Sequence, residues 1–82
     1  MGFNQFTKNT IDIMEPIIYK TIHKRLKLIR NPYDKTIERN KILEILGEIY
    51  RFPKEIRNIV LIEMEQYGLI EQTTRTKVII KN

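Results

Sequence analysis

Six side chains of this 82-residue chain have the types and spacing for recognition chemistry: Arg51, Lys54, Arg57 and Asn58 in one stretch, Arg75 and Lys77 in another. Guanidinium and carboxamide groups carry paired donors and acceptors that match the edges of guanine and adenine. Ammonium groups and threonine hydroxyls suit phosphate. Catalytic chemistry lacks its parts. Serine and cysteine are absent and the single histidine, His23, has no evident orienting acid, so neither a serine nor a cysteine nucleophile with an oriented base is at hand. Glu63 and Glu65, two residues apart on a helix, do not face each other as an acid/base pair. The three glycines are scattered, so no phosphate-cradling loop exists, and one histidine without cysteine is too little for a metal site. The expectation is a binding protein with no enzyme activity, no metal and no cofactor.

The elements that would position these groups lie between Pro53 and Lys81. Pro53 suits a first helical position, where its missing N–H costs nothing. Gly68 falls just past the last periodic residue, where a left-handed cap suits glycine. The helix 53–67 is expected to bury Ile56, Ile59, Val60, Met64 and Tyr67, with Leu61 at the edge, and to present Lys54, Asn58, Ile62 and Glu65. Its charge is graded, with Arg51, Lys54 and Arg57 toward the amino end and Glu63 and Glu65 toward the carboxyl end. Residues 69–81 then form a hairpin, in which Glu71–Thr73 and Thr76–Lys81 pair as antiparallel strands. The connection lacks the Asn-Gly or Gly turn of a two-residue loop, which predicts a longer one. Val78 and Ile80 are expected to face the core, leaving Lys77, Ile79 and Lys81 outside. The plainer account of these cations is a sheet edge protected by charge.

Upstream, residues 1–10 show no period and read as an N-terminal arm, with one domain over 11–82. A first helix starts at Ile11 or Pro16 and runs to Arg30, with Ile18, Ile22, Leu26 and Ile29 as its apolar stripe and Lys20, Lys24 and Lys27 opposite. Those lysines are either the solvated back of an amphipathic helix or a phosphate-contacting face. His23, between Lys24 and the same basic side, reads as a surface or boundary residue. Asn31-Pro32 breaks the chain and opens a second helix, capped by Asn31 or Asp34 and reaching about Tyr50. Ile42, Ile45, Leu46 and Ile49 form its buried stripe. Gly47 inside it costs about 1 kcal/mol relative to alanine, which implies either a neighbour in close approach or an early helix end.

The formal charge of +5 is uneven: +4 over residues 1–30, −1 over 31–50, zero over 51–68 and +2 over 69–82. The excess favours phosphate-bearing partners. No apolar run approaches the roughly 20 residues of a bilayer span. The amino terminus has no signal-peptide pattern, and Phe6 stands where a myristoylation site needs Ser or Thr. An intracellular protein without membrane attachment is expected.

The segments ILEILGE (Ile42–Glu48) and IEMEQYGLIEQ (Ile62–Gln72), leading into a Thr/Arg/Lys hairpin, resemble the winged helix-turn-helix family of DNA-binding domains over roughly residues 36–81. The resemblance implies a mainly α domain of three helices with a small β-hairpin. It also implies sequence-specific binding of double-stranded DNA in a regulatory role, as a homodimer. The recognition helix 53–67 would enter the major groove by its amino-terminal residues. Arg57 and Asn58 would read bases, Lys54 and Arg51 would hold phosphates, and the wing 69–81 would clamp the backbone through Arg75 and Lys77. Small size and a cysteine-free, Ile/Lys/Glu-rich makeup would suit an archaeal or archaeal-virus regulator. If ILEILGE were the family's first helix, the space to Gly68 would be too short for two more. The helices are therefore assigned to 16–30, 34–50 and 53–67, with a truncated middle helix near Phe52–Ile56 as the alternative. A protein-interaction or dimerisation module, using the first helix and the exposed isoleucines, is the competing expectation.

Overall fold

In the computed structural model, which describes residues 16–82, the chain runs α1 (Ile17–Ile29), β1 (Thr36–Glu38), α2 (Arg39–Glu48), α3 (Lys54–Gln66), β2 (Ile70–Glu71), β3 (Lys77–Ile80). The expected arm 1–10 and the start of the first helix at Ile11 fall outside the described residues. Among the described residues three helices pack with an antiparallel sheet of order β1-β3-β2. Every element contributes to one core: Tyr19, Ile22 and Leu26 from α1, Ile37 from β1, Ile42, Ile45 and Leu46 from α2, Val60, Leu61 and Met64 from α3, then Leu69, Ile70, Val78 and Ile80.

The largest departure from the sequence reading is β1. Residues 34–50 were expected to be one helix. Instead the Asn31 side chain caps a turn, its Oδ1 accepting from the backbone N–H of Tyr33 at 2.7 Å and of Asp34 at 3.3 Å. Asp34 repeats the device, its Oδ1 accepting from the Thr36 N–H at 3.0 Å and hydroxyl at 2.7 Å. These two bonds from Thr36 hold the Asp34 carboxyl below its usual range. With Lys35 at φ 62°, the chain is redirected into β1. Both devices are local alternatives to a helix that Asn and Asp side chains offer. β1 then pairs with β3 in the register Thr36↔Ile79, Ile37↔Val78 and Glu38↔Lys77. The expected hairpin supplies the central strand β3 and the edge strand β2 of a three-stranded sheet.

The end of α3 forms as the sequence indicates. Gly68 takes φ 79°, the Leu69 N–H donates to the Met64 carbonyl and the Gly68 N–H to the Glu65 carbonyl, both at 3.0 Å. This is a Schellman closure. The hairpin follows with Ile70↔Ile80 and Glu71↔Ile79 opposed and a five-residue loop, 72–76, between the strands. Val78 and Ile80 are fully buried, while Ile79, expected outside, is half-buried.

The buried faces of the helices are rotated from the expected ones. On α1, Tyr19 and His23 join Ile22 and Leu26 inside, and Ile18 and Ile29 are 41% and 48% exposed. On α2, Ile49 is 48% exposed; on α3, Ile56 and Ile59 are 41% and 50% exposed, whereas Leu61, expected at the edge, is fully buried. Tyr19 and His23 can enter because their polar tips find partners. The Tyr19 hydroxyl donates to a Glu63 carboxylate oxygen, and His23 Nε2 lies 2.6 Å from the Lys81 carbonyl oxygen. His23, expected as a surface or boundary residue, is a buried link between α1 and the end of β3.

Burial, then the bond to Glu63, push the Tyr19 phenol up to about 12. A folded value above the unfolded one near 10 means a contribution fully present below pH 10 and lost as pH rises toward 12. Urea melts between pH 7 and 11.5 should therefore show the parent losing stability more steeply than Tyr19→Phe above pH 10. Parallel curves for the two proteins would contradict this.

Candidate nucleic-acid interface

The expected recognition residues divide into those that face outward and one that does not. Arg51, Lys54 and Asn58 are exposed. Arg51 occupies the connector between α2 and α3 at φ 61°, in the left-handed region. Arg57 is half-buried and turned back toward α2. Its Nε donates to the Phe52 carbonyl at 2.9 Å, and its guanidinium carbon lies 2.3 Å from where a Cβ on Gly47 would stand. That contact explains the glycine inside α2: the neighbour in close approach is the Arg57 head group. Arg57 thus braces the α2–α3 angle, and its guanidinium is not presented on the outer face of α3.

A residue absent from the sequence reading takes a central place. Arg39 opens α2, and its backbone N–H donates to the Thr76 carbonyl at 2.7 Å, prolonging the β1–β3 ladder. One Nη of its side chain donates to Asn58 Oδ1 on α3, and its Nε donates to Gln72 Oε1 at the start of the hairpin loop, 3.3 Å away. Gln72 is held in turn by Glu65 of α3, which accepts from its backbone N–H at 2.9 Å. These bonds place the Asn58 side of α3 beside the hairpin. The sequence hid Arg39 because a helix over 34–50 gives that position no privileged neighbour.

The hairpin loop is shaped by Thr74, whose Oγ1 accepts from the N–H of Lys77 at 2.9 Å and of Thr76 at 3.3 Å. Arg75 and Lys77 are exposed. Lys77 stands opposite Glu38 in the ladder, and its charge also acts on Asp34, so it is the more neutralised of the two. Among the described residues the ion pairs are Lys41–Glu44 and Lys81–Glu71. None of Arg51, Lys54, Arg75 and Lys77 takes part in one.

Lys20, Lys24 and Lys27 are exposed on α1, as expected. They belong to a different place. α1 meets the end of β3 away from the loop, where His23 reaches Lys81 and Arg30 donates to the Ile80 carbonyl and to Asn82 Oδ1 at 2.5 and 2.7 Å. Lys24 lines an open groove with Thr21, Arg25, Leu28, Ile29 and Tyr50, in which the Arg25 guanidinium lies over the Tyr50 ring. The α1 lysines thus lie on the helix whose Arg25 donates to the Tyr50 hydroxyl at 3.1 Å, next to Arg51 of the connector.

The outer face of α3 also carries apolar surface, with Ile62 and Ile59 each 50% exposed and Ile56 41%. On α1, Ile17 and Leu28 are more than four-fifths exposed. Among the described residues no helix is long and apolar enough to cross a membrane.

The fold and this surface define a small, mainly helical domain with a three-stranded antiparallel sheet and a cationic helix–hairpin face. No protein-family model, curated protein or solved structure matches the chain.

Proposed function

We propose that this chain is a winged helix-turn-helix domain that binds double-stranded DNA as an intracellular homodimer in a regulatory role. α2, the short connector and α3 supply the helix-turn-helix, and residues 69–81 supply the wing. Asn58, joined by Arg39 in place of Arg57, faces the major groove, with Lys54 and Arg51 on the backbone beside it. Arg75 and Lys77 hold the backbone on the wing side. Lys20, Lys24 and Lys27 are further candidate phosphate contacts outside this surface.

The observation that carries the reading is the bridge from Asn58 through Arg39 to Gln72, which ties the exposed side of α3 to the start of the hairpin loop. A duplex needs such a continuous positive surface, because phosphate contacts fix its register while base edges are read from the groove. Fluorescence anisotropy with a mixed-sequence duplex and a mixed single strand, at low salt, tests it. Tighter binding to duplex, weakened by Lys54→Ala, is expected. Absence of duplex binding under those conditions refutes the reading.

A second reading is favoured by the exposed isoleucines of α3. Half-exposed Ile59 and Ile62, next to Ile56, form apolar surface of the kind that marks a protein partner site. A protein-interaction module would show a constant oligomer in sedimentation that Ile62→Lys dissociates, with no affinity for duplex in either protein.

A further inference from the structure

We infer that the outward side of α1 docks an acidic amphipathic helix of another protein. Within α1, Ile17, Thr21, Lys24 and Leu28 recur at the spacing of one helical stripe. That stripe lies opposite Tyr19, Ile22, His23 and Leu26, which face the core. The solvent side of such a helix is ordinarily polar, yet Ile17 is 81% and Leu28 85% exposed. Ile18 and Ile29, 41% and 48% exposed, widen the apolar surface on one flank. Exposed Lys20 and Lys27 line the other.

The charge on this side has one sign. α1 carries Lys20, Lys24, Arg25 and Lys27, all exposed, and no Asp or Glu. Among the described residues none of these cations takes part in an ion pair. Arg25 lies over the Tyr50 ring and donates to its hydroxyl at 3.1 Å, which holds the guanidinium at one wall of the groove. Lys24, Leu28 and Ile29 line the same groove. An apolar side chain can enter between Leu28, Ile29 and Tyr50 while carboxylates beside it meet Lys24 and Arg25.

Other occupants satisfy only half of this surface. A second copy of α1 would set cations against cations, and like charges brought together across an interface oppose association. A duplex would answer the lysines with phosphate and leave Ile17 and Leu28 without contact. A bilayer surface would receive Leu28, but Lys24, in line between Ile17 and Leu28, would be carried toward the acyl boundary with it. A helix with one apolar face and glutamates along its edges answers both the isoleucine–leucine line and the cations, as paired helices do at their flanking positions. The span from Ile17 to Leu28 is roughly 17 Å at the helical rise, so about three turns of partner helix cover it. This docking stands apart from the duplex proposed for α3 and the hairpin.

The test uses the full chain and a labelled helical peptide of about four turns, with leucines on one face and glutamates elsewhere, read by anisotropy at low salt. One comparison peptide has the same composition with its leucines spread around the helix, and another has lysine in place of glutamate. The face-sorted acidic peptide is expected to bind at least about tenfold tighter than either. Leu28→Ser, at an exposed position whose loss leaves the core untouched, should weaken it at least about fivefold. Lys24→Glu should do likewise, and Ile62→Ser on α3 should change nothing. Equal binding of the sorted and spread peptides, or of the parent and Leu28→Ser, overturns the inference. A dimer in sedimentation that Leu28→Ser dissociates also overturns it and assigns the face to a second copy. Binding to phosphatidylcholine vesicles containing phosphatidylserine, lost with Leu28→Ser in a chain that ignores the peptide, overturns it in favour of a membrane. A chain that binds duplex and not the sorted peptide overturns it and leaves the duplex reading standing.

Discussion

Leu61→Ala is expected to destabilise the domain by about 3 kcal/mol, within the 2–5 kcal/mol range for truncating a buried leucine. Leu61 is fully buried in α3, between Val60 and Met64 of the same core. The change removes transfer free energy and leaves a cavity that the surrounding isoleucines fill only in part. For a domain this small each kcal/mol moves the melting temperature by roughly 4–8 °C, so a fall of about 12–24 °C should be read by circular dichroism. Domains of this size have only a few kcal/mol in reserve, and much of the variant should be unfolded at 37 °C. Ile62→Ala, one residue along, is the control. Ile62 is 50% exposed, and its truncation should cost under about 1 kcal/mol. The sequence periodicity put Leu61 at the edge of the helix, so equal effects at the two positions would favour that arrangement over the one described.

Duplex affinity should drop roughly a hundredfold between about 50 and 200 mM monovalent salt. The estimate takes about four neutralised phosphates, for Arg51, Lys54, Arg75 and Lys77, and a slope near −0.9 per phosphate in log affinity against log salt. The four cations are outside the ion pairs of the described residues, so each can release counterions from the DNA without first breaking a protein contact. Arg75→Ala should make the slope shallower by about one and weaken all sequences alike, since a backbone contact carries no base information. Lys77→Ala should do less, because Lys77 is registered opposite Glu38 in the β1–β3 ladder. Lys24→Ala, on α1, should leave the slope unchanged if the hairpin and α3 carry the duplex. A slope lost with Lys24 and kept with Arg75 would move the DNA to α1.

The turning inward of Arg57 shows where sequence stops being informative. Charge type and exposure of Arg51, Lys54, Asn58, Arg75 and Lys77 could be read from local pattern. Arg57 could not. Its place on the helix wheel is set by the backbone, but whether its long side chain reaches outward or back depends on the gap at Gly47 of α2, a residue ten positions away in a different helix. Arg39 is the converse case, an unremarked arginine in sequence whose neighbours are made by the sheet.

Sequence by itself determined the parts whose causes lie within a few residues. Pro53 and Gly68 bound α3 through backbone geometry that those residues carry anywhere, and alternation in the last strand put Val78 and Ile80 inside. Only the tertiary structure decided β1, the buried side of each isoleucine-rich helix, and the company of Arg39. A short segment such as Thr36–Glu38 becomes a strand because β3 offers it an open edge. A helix with apolar residues on several sides buries whichever side its neighbours cover, and on α1 that side was the one whose tyrosine and histidine could reach Glu63 and Lys81.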